Sequence, residues 1–256
     1  MSSPYEKVVE FNKAFDYKVY SIHEGNALEL YPNDAKYRYS LIHEEGIVEL
    51  GRAIYINDRV ETMDGLADLL YVLYGACYTY DLNPDTMINN IYDNYDEFYN
   101  KTKLDVLNGH LEYNDYYRTL SNNIEEIRVC LLDEKKIIKL YSVLIKTIIN
   151  TFKLSFSLKI NINKIFDIVH NSNMSKLCKS EEEAIETVSF YEHKYEIFIT
   201  YYQEFCERFG RDSEQAKEAY SPYDSPFYYK SGNYYLVKNK STGKALKSVN
   251  YTPVMF

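Results

Sequence analysis

Leu41-Ile42-His43-Glu44-Glu45-Gly46-Ile47-Val48-Glu49-Leu50 and, after a short break, Asp58-Arg59-Val60-Glu61-Thr62-Met63-Asp64-Gly65-Leu66-Ala67-Asp68-Leu69-Leu70-Tyr71 decide the fold of this chain. Apolar residues recur at helical spacing in both. Leu41, Ile42, Val48, Ala53 and Ile56 lie on or near one face of the first. Leu66, Leu69, Leu70 and Leu73 form one stripe of the second, and Asn57-Asp58 breaks the pattern between them. Two helices joined by so short a turn are expected to pack antiparallel.

The carboxylates follow the same periodicity. Glu45 and Glu49 are one turn apart and close to the apolar face, where two like charges repel by about 0.2–0.5 kcal/mol even in water. Against a core the cost rises unless something positive neutralises them. On the second helix Glu61, Asp64 and Asp68 share a stripe, continued by Tyr71 and Gly75, opposite the leucines. Antiparallel packing would bring four or five carboxylates to one cleft, and hard oxygen ligands of this kind suit Mg²⁺ or Mn²⁺. The plainer alternative is a solvated acidic face, which explains either stripe alone more easily than both on adjacent, core-rich helices.

Working outward, Val8, Val9, Phe11 and Phe15 predict an amphipathic helix over residues 5–16. An irregular stretch runs from Gly25 to Pro32, and helices are expected over residues 34–57 and 60–78. Asp85 is placed to cap a helix over about residues 86–100. Residues 101–123 are polar and Asn-rich, with a turn signal at Asn108-Gly109, and residues 124–158 read as one or two buried helices. Ser180 and Glu183 form a capping box for a helix ending near Gly210. After Ser221, residues 234–239 and 245–250 read as a β-hairpin around Ser241-Thr242-Gly243. The expected architecture is mainly all-α: one helical domain over residues 1–220, with residues 221–256 as a loop and hairpin appendage.

Composition narrows the function. A chain of 256 residues can bury a core without a disulfide or structural metal. Its formal net charge of -9 argues against a sequence-independent grip on nucleic acid, but leaves room for a small anionic substrate beside a divalent ion. Cys77, Cys130, Cys178 and Cys206 are scattered without a CxxC pair, so a zinc site or disulfide framework is not expected. With no basic-apolar leader and no membrane-length apolar run, no membrane role and a reducing cytoplasmic setting are expected. The 29 Tyr and absent Trp, with abundant Asn, Ile and Lys, point to AT-rich coding, as in giant viruses, phages and some bacteria or protists. For a virus the setting would be the host cytoplasm.

The two carboxylate segments resemble the all-α NTP pyrophosphohydrolase superfamily, the MazG and phosphoribosyl-ATP pyrophosphohydrolase-like proteins, which carry EExxE on one helix and ExxD or DxxxD on the next. Asp64-Gly65-Leu66-Ala67-Asp68-Leu69-Leu70-Tyr71-Val72-Leu73-Tyr74-Gly75 is similar to the DALADxxYVxxG of one branch. Phe166-Asp167-Ile168-Val169-His170-Asn171-Ser172-Asn173-Met174-Ser175-Lys176 resembles its F-[DE]-x-V-H-x-S-N-M-S-K motif. Gly243-Lys244-Ala245-Leu246-Lys247-Ser248-Val249-Asn250-Tyr251-Thr252-Pro253 resembles its G-K-x-L-K-S-x-N-[YF]-x-P. Phe11-Asn12, Phe15 and the lead-in from Arg38 to Ile42 agree as well, and roughly residues 95–160 read as an insertion.

One departure concerns register. Counted from Arg38 and Leu41-Ile42, the glutamate pair is Glu44-Glu45 and the third glutamate would fall on Val48. Counted back from Glu49, Leu50 and Asp58, the pair becomes Glu45-Gly46. A π-bulge at Gly46, a one-residue insertion common at functional sites, would reconcile the two.

The resemblance implies water attack on the α-phosphorus of a nucleoside triphosphate, with pyrophosphate leaving. It implies Mg²⁺ or Mn²⁺ held by Glu45, Glu49, Asp64 and Asp68, and Glu44 or Glu45 as the general base. Asp167, His170 and Asn173 recur at i, i+3 and i+6, so a helix would present them in a row. With Lys176, Lys247 and Asn250 they are the candidate substrate contacts. Taken singly, His170 reads as a capping or surface histidine and Lys176 as solvated. A homodimer or higher homo-oligomer is also implied. The rival readings are a nucleotide-binding protein of this fold without catalysis, and a partner-binding helical protein.

Overall fold

A computed structural model describes residues 2–21, 25–88, 97, 100, 113–209 and 223–256. The first two helices start where a side chain takes up free N–H groups. Helix α1 (Pro4–Ala14) has a capping box: Ser3 Oγ accepts from the Glu6 amide, and Glu6 Oε2 accepts from the Ser3 amide. Asn26 caps the short α2 (Ala27–Leu30), inside the stretch expected to be irregular. Pro32 opens α3 (Pro32–His43), in the first-turn position where a missing N–H costs nothing. A π-helical segment, Glu44–Glu49, then leads into α4 (Leu50–Tyr55).

Asn57 turns the chain with φ of 57°, and Asp58 caps α5 (Arg59–Thr79) by accepting from the amides of Val60 and Glu61. The sequence break at Asn57-Asp58 is therefore a helix stop and a helix start. Gly65 lets α4 and α5 meet closely, since a Cβ there would lie 3.2 Å from Leu50 Cα.

Helix α5 is the centre of the first compact unit, which comprises Met1–Asn12, Tyr17–His170 and Met255–Phe256. It packs against α3, α4, the π-segment and α7 (Ile137–Ser157). Leu66, Leu69, Leu70, Leu73 and Tyr74 are buried there, as are Ile42, Leu50, Leu144, Ile148 and Phe152. Each such side chain contributes roughly 1.5–3 kcal/mol on burial.

Residues 113–123, polar and Asn-rich in the sequence, are part of α6 (Tyr113–Arg128), followed by a second π-segment, Val129–Asp133. Tyr116, Leu120, Ile124 and Ile127 are all buried. Their spacing is one helical stripe, and its burial overrides the polar composition around it. Residues 85–88 are helical, but the Asp85 amide donates to Asn83 Oδ1, so Asn83 is the cap. Most of the helix expected over residues 86–100, and the turn at Asn108-Gly109, lie outside the described residues.

The second unit comprises Lys13–Asp16 and Asn171–Val254. Helix α8 (Ile162–Met174) ends in it, and α9 (Glu181–Phe209) starts where Ser180 Oγ accepts from the Glu183 amide. A small core joins Cys178, Ala184, Tyr191, Val237 and Leu246. The hairpin differs from expectation. Its strands are β1 (Pro226–Ser231) and β2 (Tyr234–Asn239), paired antiparallel with Tyr229 opposite Leu236 and turning at Gly232-Asn233. Gly232 has φ of 58°, which a two-residue hairpin turn requires. The segment expected as the second strand makes only an isolated bridge, Ala245 to Lys238.

The protein is mainly all-α with a small hairpin, and all four cysteines are free and buried. Among the described residues, no helix is long and apolar enough to cross a membrane.

Candidate active site

The glutamates sit on the one stretch of the α3–α4 rod that is not α-helical. The Leu50 amide donates to the Glu45 carbonyl, five residues back, so the chain accommodates one extra residue without breaking the rod. That residue is Gly46, which is buried. A Cβ there would collide with Ile124 Cδ1 and lie 3.1 Å from Leu69 Cδ1. Both registers read from the sequence therefore hold: Glu44-Glu45 keep the upstream one and Glu49 the downstream one. At about 100° per residue, Glu44 and Glu49 of a plain α-helix would stand roughly 140° apart. The wider π-turn brings Glu49 back towards the pair.

Helix α5 supplies the rest. Burial, then the charges of Asp68 and Glu49, a hydrogen bond shared with Glu49, and the charge of Glu44 push the Glu45 carboxyl up to about 8. The Asp64 carboxyl is also raised, by burial and then by Glu61 and Glu49. Glu45 thus feels Asp68, Glu49 and Glu44, Asp64 feels Glu61 and Glu49, and Glu49 is the charge common to both. Among the described residues no lysine, arginine or histidine forms an ion pair with Glu44, Glu45, Glu49 or Asp64. Two buried oxygens, Glu45 Oε2 and Asp64 Oδ1, have no hydrogen-bond partner.

Beside the cluster, Glu44, Val48, Glu49, Arg52, Ala53, Ile56, Asp58 and Glu61 line a cleft of about 540 Å³. This is in the range that holds small ligands. Arg52 belongs to none of the sequence motifs. It follows Glu49 by three positions, and that i, i+3 placement on an acidic face was the available signal. Val48 and Ile56 are 43% and 54% exposed, so the cleft has an apolar side as well as a charged one.

The donors present suit a divalent cation. They are hard carboxylate oxygens, two of them desolvated without a partner. Among the described residues no three acidic, histidine or cysteine side chains are already gathered closely enough to enclose an ion. The fit rests on the donor chemistry and on the two orphaned oxygens.

Of the other sequence candidates, Asp167 pairs with Lys7. His170 is buried, with Nδ1 3.1 Å from the Tyr71 hydroxyl, and burial holds its pKa below the usual value. Tyr71 stacks on Phe166 and meets Phe11 edge-on, so His170 closes an aromatic cluster.

Asn173, Lys176, Lys247 and Asn250 belong to the second unit. Lys176 Nζ donates to Asn173 Oδ1, and Lys247 Nζ lies 4.2 Å from the centre of the Tyr251 ring. Burial raises the Tyr251 phenol, but a hydrogen bond with Ser172 and the charges of Lys247 and Lys176 outweigh it and pull it below the usual range. Asn250 and Ser248 both hydrogen-bond Glu183. The two C-terminal motifs therefore fold into one small polar cluster.

A family model described as phosphoribosyl-ATP pyrophosphohydrolase matches residues 8–94, which hold both carboxylate segments. The chain is also 31% identical over 196 residues to an uncharacterized protein of Acanthamoeba polyphaga mimivirus, a match spanning 73% of this chain and 76% of that protein. No solved structure matches. The chain belongs to the all-α NTP pyrophosphohydrolase superfamily, the phosphoribosyl-ATP pyrophosphohydrolase and MazG-like proteins.

Proposed function

We propose that this chain hydrolyses nucleoside triphosphates to the monophosphate and pyrophosphate, with Mg²⁺ or Mn²⁺ held by Glu45, Glu49, Asp64 and Asp68. The observation that carries the reading is the pair of buried, partnerless oxygens, Glu45 Oε2 and Asp64 Oδ1, on adjacent elements whose carboxyls both feel Glu49. A buried carboxyl without a partner either holds its proton or takes a cation, and carboxyls perturbed in this way beside a cleft mark candidate ligand sites. A bound divalent cation supplies positive charge against the phosphate oxygens and makes water a better nucleophile.

The chain's own groups have distinct tasks. Glu44 is exposed and lines the cleft, whereas Glu45 is half-buried and acts on Asp68. That division favours Glu44 as the base taking the proton of the attacking water, and Glu45 as a ligand. Arg52 offers a fixed positive fork to phosphate oxygens. Val48, Ala53 and Ile56 offer an apolar wall to a base or sugar. Asn173, Lys176, Asp167, His170, Lys247 and Asn250 remain proposed substrate contacts, by amide, ammonium, carboxylate and imidazole groups. A homo-oligomeric state is part of the proposal.

Asp68→Asn tests it. The variant should keep its helical circular dichroism and lose metal-dependent pyrophosphate release. Full turnover in that variant would remove Asp68 from the ligand set.

A further inference from the structure

The π-segment does not stand alone. Counting along its ladder, the Leu50 amide takes the Glu45 carbonyl at i−5. When the ladder resumes i−4 spacing in α4, the next acceptor in line is the Ile47 carbonyl. The Gly46 carbonyl is passed over. A skipped carbonyl inside a packed rod needs another donor, and one is present: the Tyr117 hydroxyl of α6 donates to the Gly46 carbonyl at 3.3 Å.

The surroundings are shaped to that contact. Gly51, one turn further on, faces the same phenol, and a Cβ there would collide with the Tyr117 hydroxyl. Gly46 itself has no room for a side chain, because Ile124, two turns along α6 from Tyr117, fills the space. Helix α6 thus meets the glutamate-bearing rod at two glycines, and it belongs to the part of the chain that the sequence marks as an insertion. The extra residue in the glutamate motif and the extra helix complement each other.

We infer that Tyr117 is a positioning residue: its hydroxyl holds the Gly46 carbonyl that the π-turn skips, and so fixes where Glu45 and Glu49 stand. The consequence for turnover rests on the pyrophosphohydrolase reading. The contact itself does not.

The test has two arms, both on the full chain. Gly-Ile occurs once in the sequence, at Gly46-Ile47. Carbonyl-¹³C glycine combined with ¹⁵N isoleucine therefore reports this one peptide group by NMR. Tyr117→Phe keeps the ring and removes the donor, so the Gly46 carbonyl resonance should move upfield. In the second arm kcat should fall about 2- to 12-fold, the worth of one hydrogen bond, while KM stays within about twofold.

Gly51→Ala, which keeps the phenol but displaces its hydroxyl, should reproduce both effects. Adding Tyr117→Phe to a chain lacking Gly46 should change nothing further, because no carbonyl is then skipped. A purely structural role would lower the melting temperature and leave the kcat-to-KM balance alone. An unmoved carbonyl resonance, or an unchanged kcat beside a moved one, would overturn the assignment. If the wild type is silent towards every nucleotide, the proposed function fails, and the carbonyl resonance alone decides for or against the contact.

Discussion

The amide of Leu50 donates to the carbonyl of Glu45 across five residues, where an α-helix would span four. That bond closes the π segment Glu44–Glu49, whose wider turn lets the rod carry Glu44, Glu45 and Glu49 with a glycine between them. Gly46 lies inside the widened turn, enclosed by Ile124 and Leu69.

Gly46→Ala should therefore destabilise the protein. Its methyl has no space, and overpacking of this kind costs about 1–3 kcal/mol. Thermal denaturation checks it: a clear drop in melting temperature is expected, and an unchanged one would mean that Ile124 moves aside freely.

Glu45 makes stability depend on pH when no metal is bound. Its carboxyl titrates near 4.5 in an unfolded chain and at about 8 in the folded one. Between these values the folded state holds a proton that the unfolded state has released, so stability falls as pH rises. The contribution is complete below about pH 4.5 and lost as pH passes 8. Melting curves from pH 5 to 8.5 in EDTA should show the decline, and Glu45→Gln should flatten it. Saturating Mg²⁺ should flatten it too, by raising stability most at high pH, since a ligand bound only to the folded state stabilises it. A wild-type curve already flat in EDTA would contradict the environment assigned to Glu45.

Arg52 lines the cleft among Glu44, Glu49, Asp58 and Glu61. Arg52→Gln should raise KM for the nucleotide about tenfold, the worth of one charge-assisted hydrogen bond, with a smaller change in kcat. Arg52→Lys should recover part of it, since the charge remains but the fork is lost. Steady-state kinetics decide: an unchanged KM in the glutamine variant would leave Arg52 a solvated neighbour of the site.

Much of this was legible in the sequence because helices announce themselves by period. The two carboxylate stripes, the stop at Asn57-Asp58 and the capping Ser180 all follow from spacing and local chemistry. Even the π-turn could be anticipated, since two anchors disagreed by one residue at a glycine. What could not be read was tertiary. Residues 113–123 are polar by composition, and it is the packing of Tyr116 and Leu120 that shows where their helix lies. The hairpin turned at Gly232-Asn233 because that pair permits a two-residue loop, while Ser241-Thr242-Gly243 merely bends the chain back. Tyr117 carried no signal at all, because its partner is a backbone carbonyl distant in sequence.

Pyrophosphate release from a panel of ribo- and deoxyribonucleoside triphosphates, with Mg²⁺, with Mn²⁺ and with EDTA, separates a metal-dependent pyrophosphohydrolase from a protein that only binds nucleotide. The expected result is release of pyrophosphate and the monophosphate from one or a few nucleotides, with either metal and not in EDTA. A well-folded sample that releases none with either metal, or releases it equally in EDTA, would rule out metal-dependent pyrophosphohydrolysis.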